Sequence, residues 1–236
     1  MATKRDKNFK YDAVIIGGLG HVGLPLGLVF ANKGLRVCLH DKNIKNAELV
    51  QNGVMPFIEY GADPILKKLI KKKDALTVSS DIRDVSLAKY VVIAIGTPVD
   101  EYLNPNVRVF LEYFKTLKKY LRKNQTIIIR STIYPRTCQQ IMKVLGKNVL
   151  LAYCPERIAQ GYAIKELKEL PQLVAGVTQK AQNSAIKLFS LIAPKIIKVS
   201  MEEAELVKLF TNAWRYIQFS ITNQFYMIAN DFNLDF

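Results

Sequence analysis

The chain has 236 residues, half of them hydrophobic, and a formal charge of +14. That is enough apolar material for one large domain or a domain and a half, and no apolar run is long enough to span a membrane. A soluble globular protein is therefore expected, with no membrane partner.

The three cysteines form an odd set that suits a reducing cytoplasm better than a disulfide framework. Cys38 and Cys138 read as packing residues on a strand and a helix. The basic charge sits in helical runs such as Lys67, Lys68, Lys71, Lys72, Lys73 and Lys115, Lys118, Lys119, which lack interleaved aromatics. Solvated helix faces are expected there, with no nucleic-acid partner, and a positive field suits anionic ligands. No metal site is expected. Residues 1–10 are polar and basic, with no signal peptide or anchor, and read as a mobile start.

The first informative stretch is 11–41. Ala13-Val-Ile-Ile16 is a β-branched apolar run, as in a strand buried on both faces, and Gly18, Gly20 and Gly23 follow in the pattern G-x-G-x-x-G. Gly18 is expected to make the tight turn, Gly20 to let a pyrophosphate approach, and Gly23 to bring the next helix close. That helix, over 20–33, aims its N-terminal amides at the phosphate, with His21 and Val22 in its opening turn. A second strand over 36–40 ends in Asp41, an acid placed to accept the adenosine ribose hydroxyls and to repel a 2′-phosphate. Strand, glycines, helix, strand and acid in that order predict NAD as cofactor.

Further along, helices are expected over 44–52 and from Asp63-Pro64, with Pro64 at the first helical position. A strand over 76–79 and a short helix from Asp81 precede an apolar central strand over 90–95. That strand ends in Gly96-Thr97-Pro98, at a carboxyl end where open α/β sheets bind ligands. Asn106 caps a helix to about residue 122, with Val109, Phe110, Phe114, Leu117 and Leu121 as its buried stripe. Strands are predicted over 126–130, 149–153, 172–177 and 195–199, with helices to 145 and over 179–191. The first of these strands ends in Ser131-Thr132, whose hydroxyls would face the cleft of Thr97. The β-then-α alternation predicts a mostly parallel, doubly wound sheet.

From Met201 one long amphipathic helix is expected over 202–230, with Leu206, Phe210, Ala213, Ile217 and Ile221 in one apolar stripe. Lys208, Asn212, Arg215 and Phe219 share another face. So aromatic a helix needs a cover, and a homodimer through it is expected.

Several motifs together resemble the nucleotide-sugar 6-dehydrogenases, the UDP-glucose and UDP-N-acetylhexosamine dehydrogenase family. They are Gly18-Leu-Gly-His-Val-Gly-Leu-Pro25, Gly96-Thr-Pro98, Ser131-Thr-Ile-Tyr-Pro135, Pro155-Glu-Arg157 and Glu205-Leu-Val-Lys-Leu-Phe-Thr-Asn212. The resemblance implies a Rossmann-type NAD domain over 1–200, followed over 201–236 by the start of a central helical dimerisation domain. It implies oxidation of a UDP-sugar C6 alcohol to the carboxylate, with NAD as acceptor, for polysaccharide biosynthesis. A family cysteine captures the intermediate aldehyde, and the thioester that follows is hydrolysed. By position, Gly18, Gly20, Val22, Asp41, Thr97 and Thr132 would contact NAD, with His21, Gly23, Pro98 and Ser131 around them. Thr132 and Glu156 would handle water and protons, while Lys208 and Asn212 would face the C6 oxygen.

Three positions depart from the family pattern. Arg136 stands where a glycine is usual, Gln160 where one branch has a second acid, and His21 where an aromatic is common. The segment bearing the family's nucleophilic cysteine and its UDP-binding domain are not in this chain, and Cys154 belongs to another motif. Alternatives are a stand-alone NAD-binding or regulatory module, a β-hydroxyacid dehydrogenase and, more distantly, a nucleic-acid binder. The residues leave plainer roles open too: Lys208 as a solvated lysine, Asn212 bonded to backbone, and Glu156 paired at the surface with Arg157.

Overall fold

The computed structural model describes residues 8–98, 100–102, 106–146 and 148–236. Most of the expected mobile start, residues 1–7, lies outside them. The strands are β1 (Tyr11–Ile16), β2 (Val37–His40), β3 (Leu76–Ser79), β4 (Ala88–Ile93), β5 (Thr126–Ile129), β6 (Leu150–Tyr153), β7 (Gln172–Gly176) and β8 (Ile196–Lys198). They form one eight-stranded sheet in the order β3-β2-β1-β4-β5-β6-β7-β8. Every neighbouring pair is parallel except β6 with β7. The expected doubly wound, mostly parallel α/β fold is what forms.

The helices are α1 (Gly23–Asn32), α2 (Ile44–Gln51), α3 (Ala62–Ile70), α4 (Val107–Leu117), α5 (Thr137–Leu145), α6 (Ala163–Glu169), α7 (Gln179–Phe189) and α8 (Met201–Asp231). Alternation along the strands divides the core. Ala13 and Ile15 of β1, with Tyr90 and Val92 of β4, pack beneath α1, α3, α6 and α7. Val14 and Ile16, with Val91 and Ile93, pack beneath α4 and α5. Side chains of adjacent strand residues point to opposite faces, so two helical layers follow from one continuous apolar run. The α1 segment is buried on nearly every side, as its unbroken apolar sequence requires.

Several local expectations change. The first helix begins at Gly23 rather than residue 20, because the glycine loop continues as turns through Val22. The tight turn belongs to Gly17, whose φ of +77° is left-handed; a Cβ there would lie 2.6 Å from the Ala94 carbonyl oxygen. Gly18 instead packs against Leu39, with a Cβ only 2.8 Å from Leu39 Cα. Pro64 lies inside the first turn of α3, which opens at Ala62 behind left-handed Gly61. The helix capped by Asn106 ends at Leu117 and tightens into a 3₁₀ turn over Lys118–Tyr120, and Val109 is exposed. The helix α6 has no counterpart in the sequence reading.

The predicted apolar stripe of the longest helix has no cover within the chain: Leu206, Phe210, Ile217 and Ile221 are exposed. The residues that α8 buries are Ala204, Glu205 and Lys208. No helix among the described residues is long and apolar enough to cross a membrane.

Candidate active site

At the carboxyl ends of β1, β4, β5 and β6 lies a cleft of about 620 Å³. Its lining includes Gly20, His21, Val22, Thr97, Ser131, Thr132, Glu156, Gln160, Lys208 and Asn212. Residues almost 200 positions apart in the chain therefore share one hollow, where a parallel sheet gathers its strand ends and first helical turns.

The glycine-loop wall is made of backbone. The α1 helix opens with no side-chain cap and no acid in its first turn. Leu24 N and Leu26 N are taken by the Gly20 and Val22 carbonyls and Pro25 has no N–H, so what is left for an anion is the turn leading into Gly23. A Cβ on Gly20 would meet only the Gly17 carbonyl, at 3.6 Å, so the loop stays open toward the cleft. Gly23 is a packing residue, since a Cβ there would sit 2.2 Å from the same carbonyl oxygen. This cradle fits the diphosphate of a dinucleotide. Beside it is a hollow of about 310 Å³ lined by Asp41, Lys42, Ile44, Ala47, Val78 and Ser79. Asp41 joins the two, because its carboxylate accepts from Leu19 N at 3.0 Å and Asn43 N at 3.1 Å. His21, which lines the cleft, meets the Phe57 ring at a tilt of 34°, with centroids 4.0 Å apart.

The hydroxyls expected to face the cleft are partly committed elsewhere. Thr97 donates its hydroxyl to the Thr132 carbonyl, and Ser131 donates to the Ile95 carbonyl at 2.5 Å. These bonds tie together the loops that follow β4 and β5. The Pro98 carbonyl accepts from Asn106 N at 2.7 Å and so leads the chain into α4.

The opposite wall carries buried charge. Glu156 follows β6 and is 6% exposed, Lys208 on α8 is 8%, and Arg130 after β5 is 1%. Glu156 does not form the surface pair with Arg157 that the sequence left open. It forms a buried ion pair with Arg130, and its Oε1 accepts from the amides of Arg157 at 2.7 Å and Ile158 at 2.8 Å. The Arg157 guanidinium turns instead to the Pro171 carbonyl. Burial lowers the Lys208 pKa, and the negative charge of Glu156 works against that fall. Lys208 is therefore a cleft residue rather than a solvated lysine. Asn212, one turn on, lines the same cleft from an exposed position.

No cysteine lines this cleft. All three are buried, and desolvation pushes the Cys154 thiol up to about 12, which keeps it protonated and unreactive.

Residues 12–192 match the model for the UDP-glucose/GDP-mannose dehydrogenase family, NAD binding domain. The chain belongs to this family.

Its relatives include the UDP-N-acetyl-D-mannosamine dehydrogenase of Methanococcus maripaludis, 28% identical over 97% of this chain and 54% of that protein. Among solved structures, the UDP-D-ManNAc dehydrogenase of Pyrococcus horikoshii superposes with a TM-score of 0.81 at 26% identity, covering 93% of this chain and 54% of that one. The GDP-mannose dehydrogenase of Pseudomonas aeruginosa gives 0.83 at 20% identity, covering 95% of this chain and 54% of that one, a likeness of fold. The chain spans about half the length of the curated relatives it matches. Its cofactor is NAD, the ligand of the matched domain.

Within this nucleotide-sugar dehydrogenase domain, sequence reading missed Arg130, Gln172, Glu205 and the reason Arg136 matters. Arg130 preceded the Ser131-Thr132 motif and read as the end of a strand. Glu205 stood at the head of a family motif with no role given to it, and it is 1% exposed. Its carboxylate accepts from Arg136 N at 2.6 Å and Cys138 N at 3.0 Å, so α8 caps the N-terminus of α5. Arg136 adopts φ 68°, the left-handed conformation for which glycine is the usual choice, so the turn keeps its shape despite the departure. Only the motif around Glu205 carried a sequence signal.

Proposed function

We propose that the protein oxidises the C6 alcohol of a UDP-linked hexose or N-acetylhexosamine to the uronic acid with NAD, and that this chain supplies the cofactor half. The observation that carries this reading is the single cleft shared by the glycine cradle, Glu156, Lys208 and Asn212. The relatives named UDP-N-acetyl-D-mannosamine dehydrogenase favour an N-acetylhexosamine over glucose.

NAD, when bound, supplies the hydride acceptor. Gly20 and Val22 would offer backbone to the diphosphate and Asp41 would receive the ribose hydroxyls, with Thr97, Pro98, Ser131 and Thr132 completing the NAD site. Lys208 and Asn212, one helical turn apart, donate to the sugar C6 oxygen as negative charge develops on it; preorganised donors of this kind lower such barriers. Glu156, with Thr132, accepts a proton from water attacking the reacting carbon. No described cysteine can reach the substrate, so the thiol for the second oxidation comes from a segment other than the described residues.

The domain division we propose places NAD binding in residues 1–200 and the start of a dimerising helix in 201–236. Support comes from Phe210, Trp214, Phe219 and Phe225, all more than half exposed along α8. If a second copy covers them, sedimentation should give a dimer for the chain and a monomer for residues 1–200; a dimer of both would place the interface elsewhere. The reduced cysteines fit a cytoplasmic enzyme.

The decisive assay is NADH formation by the longest natural polypeptide containing this chain. UDP-N-acetylmannosamine, UDP-N-acetylglucosamine and UDP-glucose are the substrates to compare. Turnover with none of them, alongside normal NAD binding, would leave a nucleotide-binding module as the surviving account.

A further inference from the structure

The buried pair behind the cleft has more structure than charge neutralisation requires. The Arg130 guanidinium is held from three sides before it meets Glu156. One nitrogen donates to the Cys154 carbonyl at 3.1 Å and to Gln172 Oε1 at 2.8 Å, and the group lies over the Phe189 ring at 5.0 Å. Gln172 is itself fixed, donating to the Leu173 carbonyl at 2.8 Å and the Pro155 carbonyl at 3.3 Å. Its side-chain amide therefore has no freedom to turn, and neither does the fork that it anchors.

The carboxylate at the end of this chain is almost fully subscribed. Its Oε1 takes two backbone amides and its Oε2 faces the second guanidinium nitrogen. Two carboxylate oxygens carry about four acceptor sites. Oε2 is itself buried against that guanidinium, and the Glu156 residue borders the cleft. Nothing in the Lys208 motif or the Pro155-Glu156-Arg157 motif requires such a backing, and a hydrophobic neighbour would cost the fold less than a buried ion pair does.

We infer that Arg130 is a positioning residue: through Gln172 and Arg130, the β7 strand fixes the seat of the Glu156 carboxylate at the border of the cleft. The inference rests on the reading of Glu156 as the group that receives a proton from water. The single antiparallel strand pair then has a use. Reversal of β7 brings its first residue, Gln172, beside the loop after β6, where a parallel β7 would have placed its last.

The test compares Arg130→Met, Gln172→Met and Glu156→Gln by two readouts. In ¹⁵N-labelled chain, the amide resonances of Arg157 and Ile158 report the carboxylate's seat. In the longest natural polypeptide containing the chain, turnover is set against NAD affinity. Arg130→Met should move both resonances, and turnover should fall about 100-fold for a displacement near 1 Å, with NAD affinity within about twofold. Gln172→Met keeps the side-chain volume and should give about a tenfold loss; it serves if Arg130→Met does not fold. Arg130→Lys should recover part of the loss. Unmoved resonances, or NAD affinity falling in step with turnover, would overturn the inference. If Glu156→Gln keeps full turnover, the role given to Glu156 fails instead; if it is dead while Arg130→Met is active, only the positioning role falls.

Discussion

The two walls of the cleft solve opposite problems by opposite means. On the proposed reading the glycine-loop wall meets a charged diphosphate almost without side chains, through the backbone of the turn that leads into α1. The far wall, which on the proposed reading meets the reacting carbon, is built of charged side chains, Arg130, Glu156 and Lys208, each less than a tenth exposed. Backbone amides keep their dipoles whatever the surroundings, so the first wall needs only room. Buried charges must be paired and hydrogen-bonded or they are too costly to keep, so the second wall needs partners from β5, β6, β7 and α8. The first wall is local in sequence and the second is assembled from four distant segments.

The sharpest way to break this contrast is on the charged side. Lys208→Met keeps the buried stem and removes the ammonium that burial already disfavours. Turnover should drop by about 10²–10³, the usual effect of losing one oxyanion donor, while NAD affinity stays within about twofold. An equal loss in both, read by single-turnover kinetics and an NAD titration, would mean the two walls are not separate.

On the backbone side the matching change is Gly23→Ala, because a Cβ there would lie 2.2 Å from Gly17 O. Overpacking should cost about 2 kcal/mol of stability and weaken NAD binding, while an active-site lysine change leaves both alone. Chemical denaturation with and without NAD measures it, and an unchanged midpoint would show that the loop can shift. The smallest effect is expected where the walls' supports meet. Arg136→Gly relieves a left-handed residue under the Glu205 cap, and the gain should be up to about 1 kcal/mol, a rise of a few degrees in Tm. A fall in Tm would mean that the arginine side chain holds the turn.

How far each wall was legible follows from the same difference. The glycines, Asp41 and the strand preceding them stand in order within 11–41, and their pattern is dictated by local geometry, so the sequence displayed them. Even there the turn fell on Gly17 rather than Gly18, where the chain passes close to the carbonyl of Ala94, just beyond the neighbouring strand. Glu156, Lys208 and Asn212 were found through resemblance rather than pattern. Arg130 and Gln172 were not found, since nothing in a sequence marks a polar residue at a strand end as buried rather than solvated. On α8 a related limit applies: helical period shows which residues share a face, but not what that face meets.

The amino-acid order by itself determined the alternation of strands and helices, the two-layer division of the core and the phosphate loop, because each depends on spacing and on residue types a few positions apart. Tertiary structure alone decided that β7 runs against β6, that Glu205 of α8 caps α5, and that a guanidinium backs the Glu156 carboxylate. Those features depend on which distant groups are desolvated together, and the free energy of a charge depends on that company rather than on its neighbours in the chain.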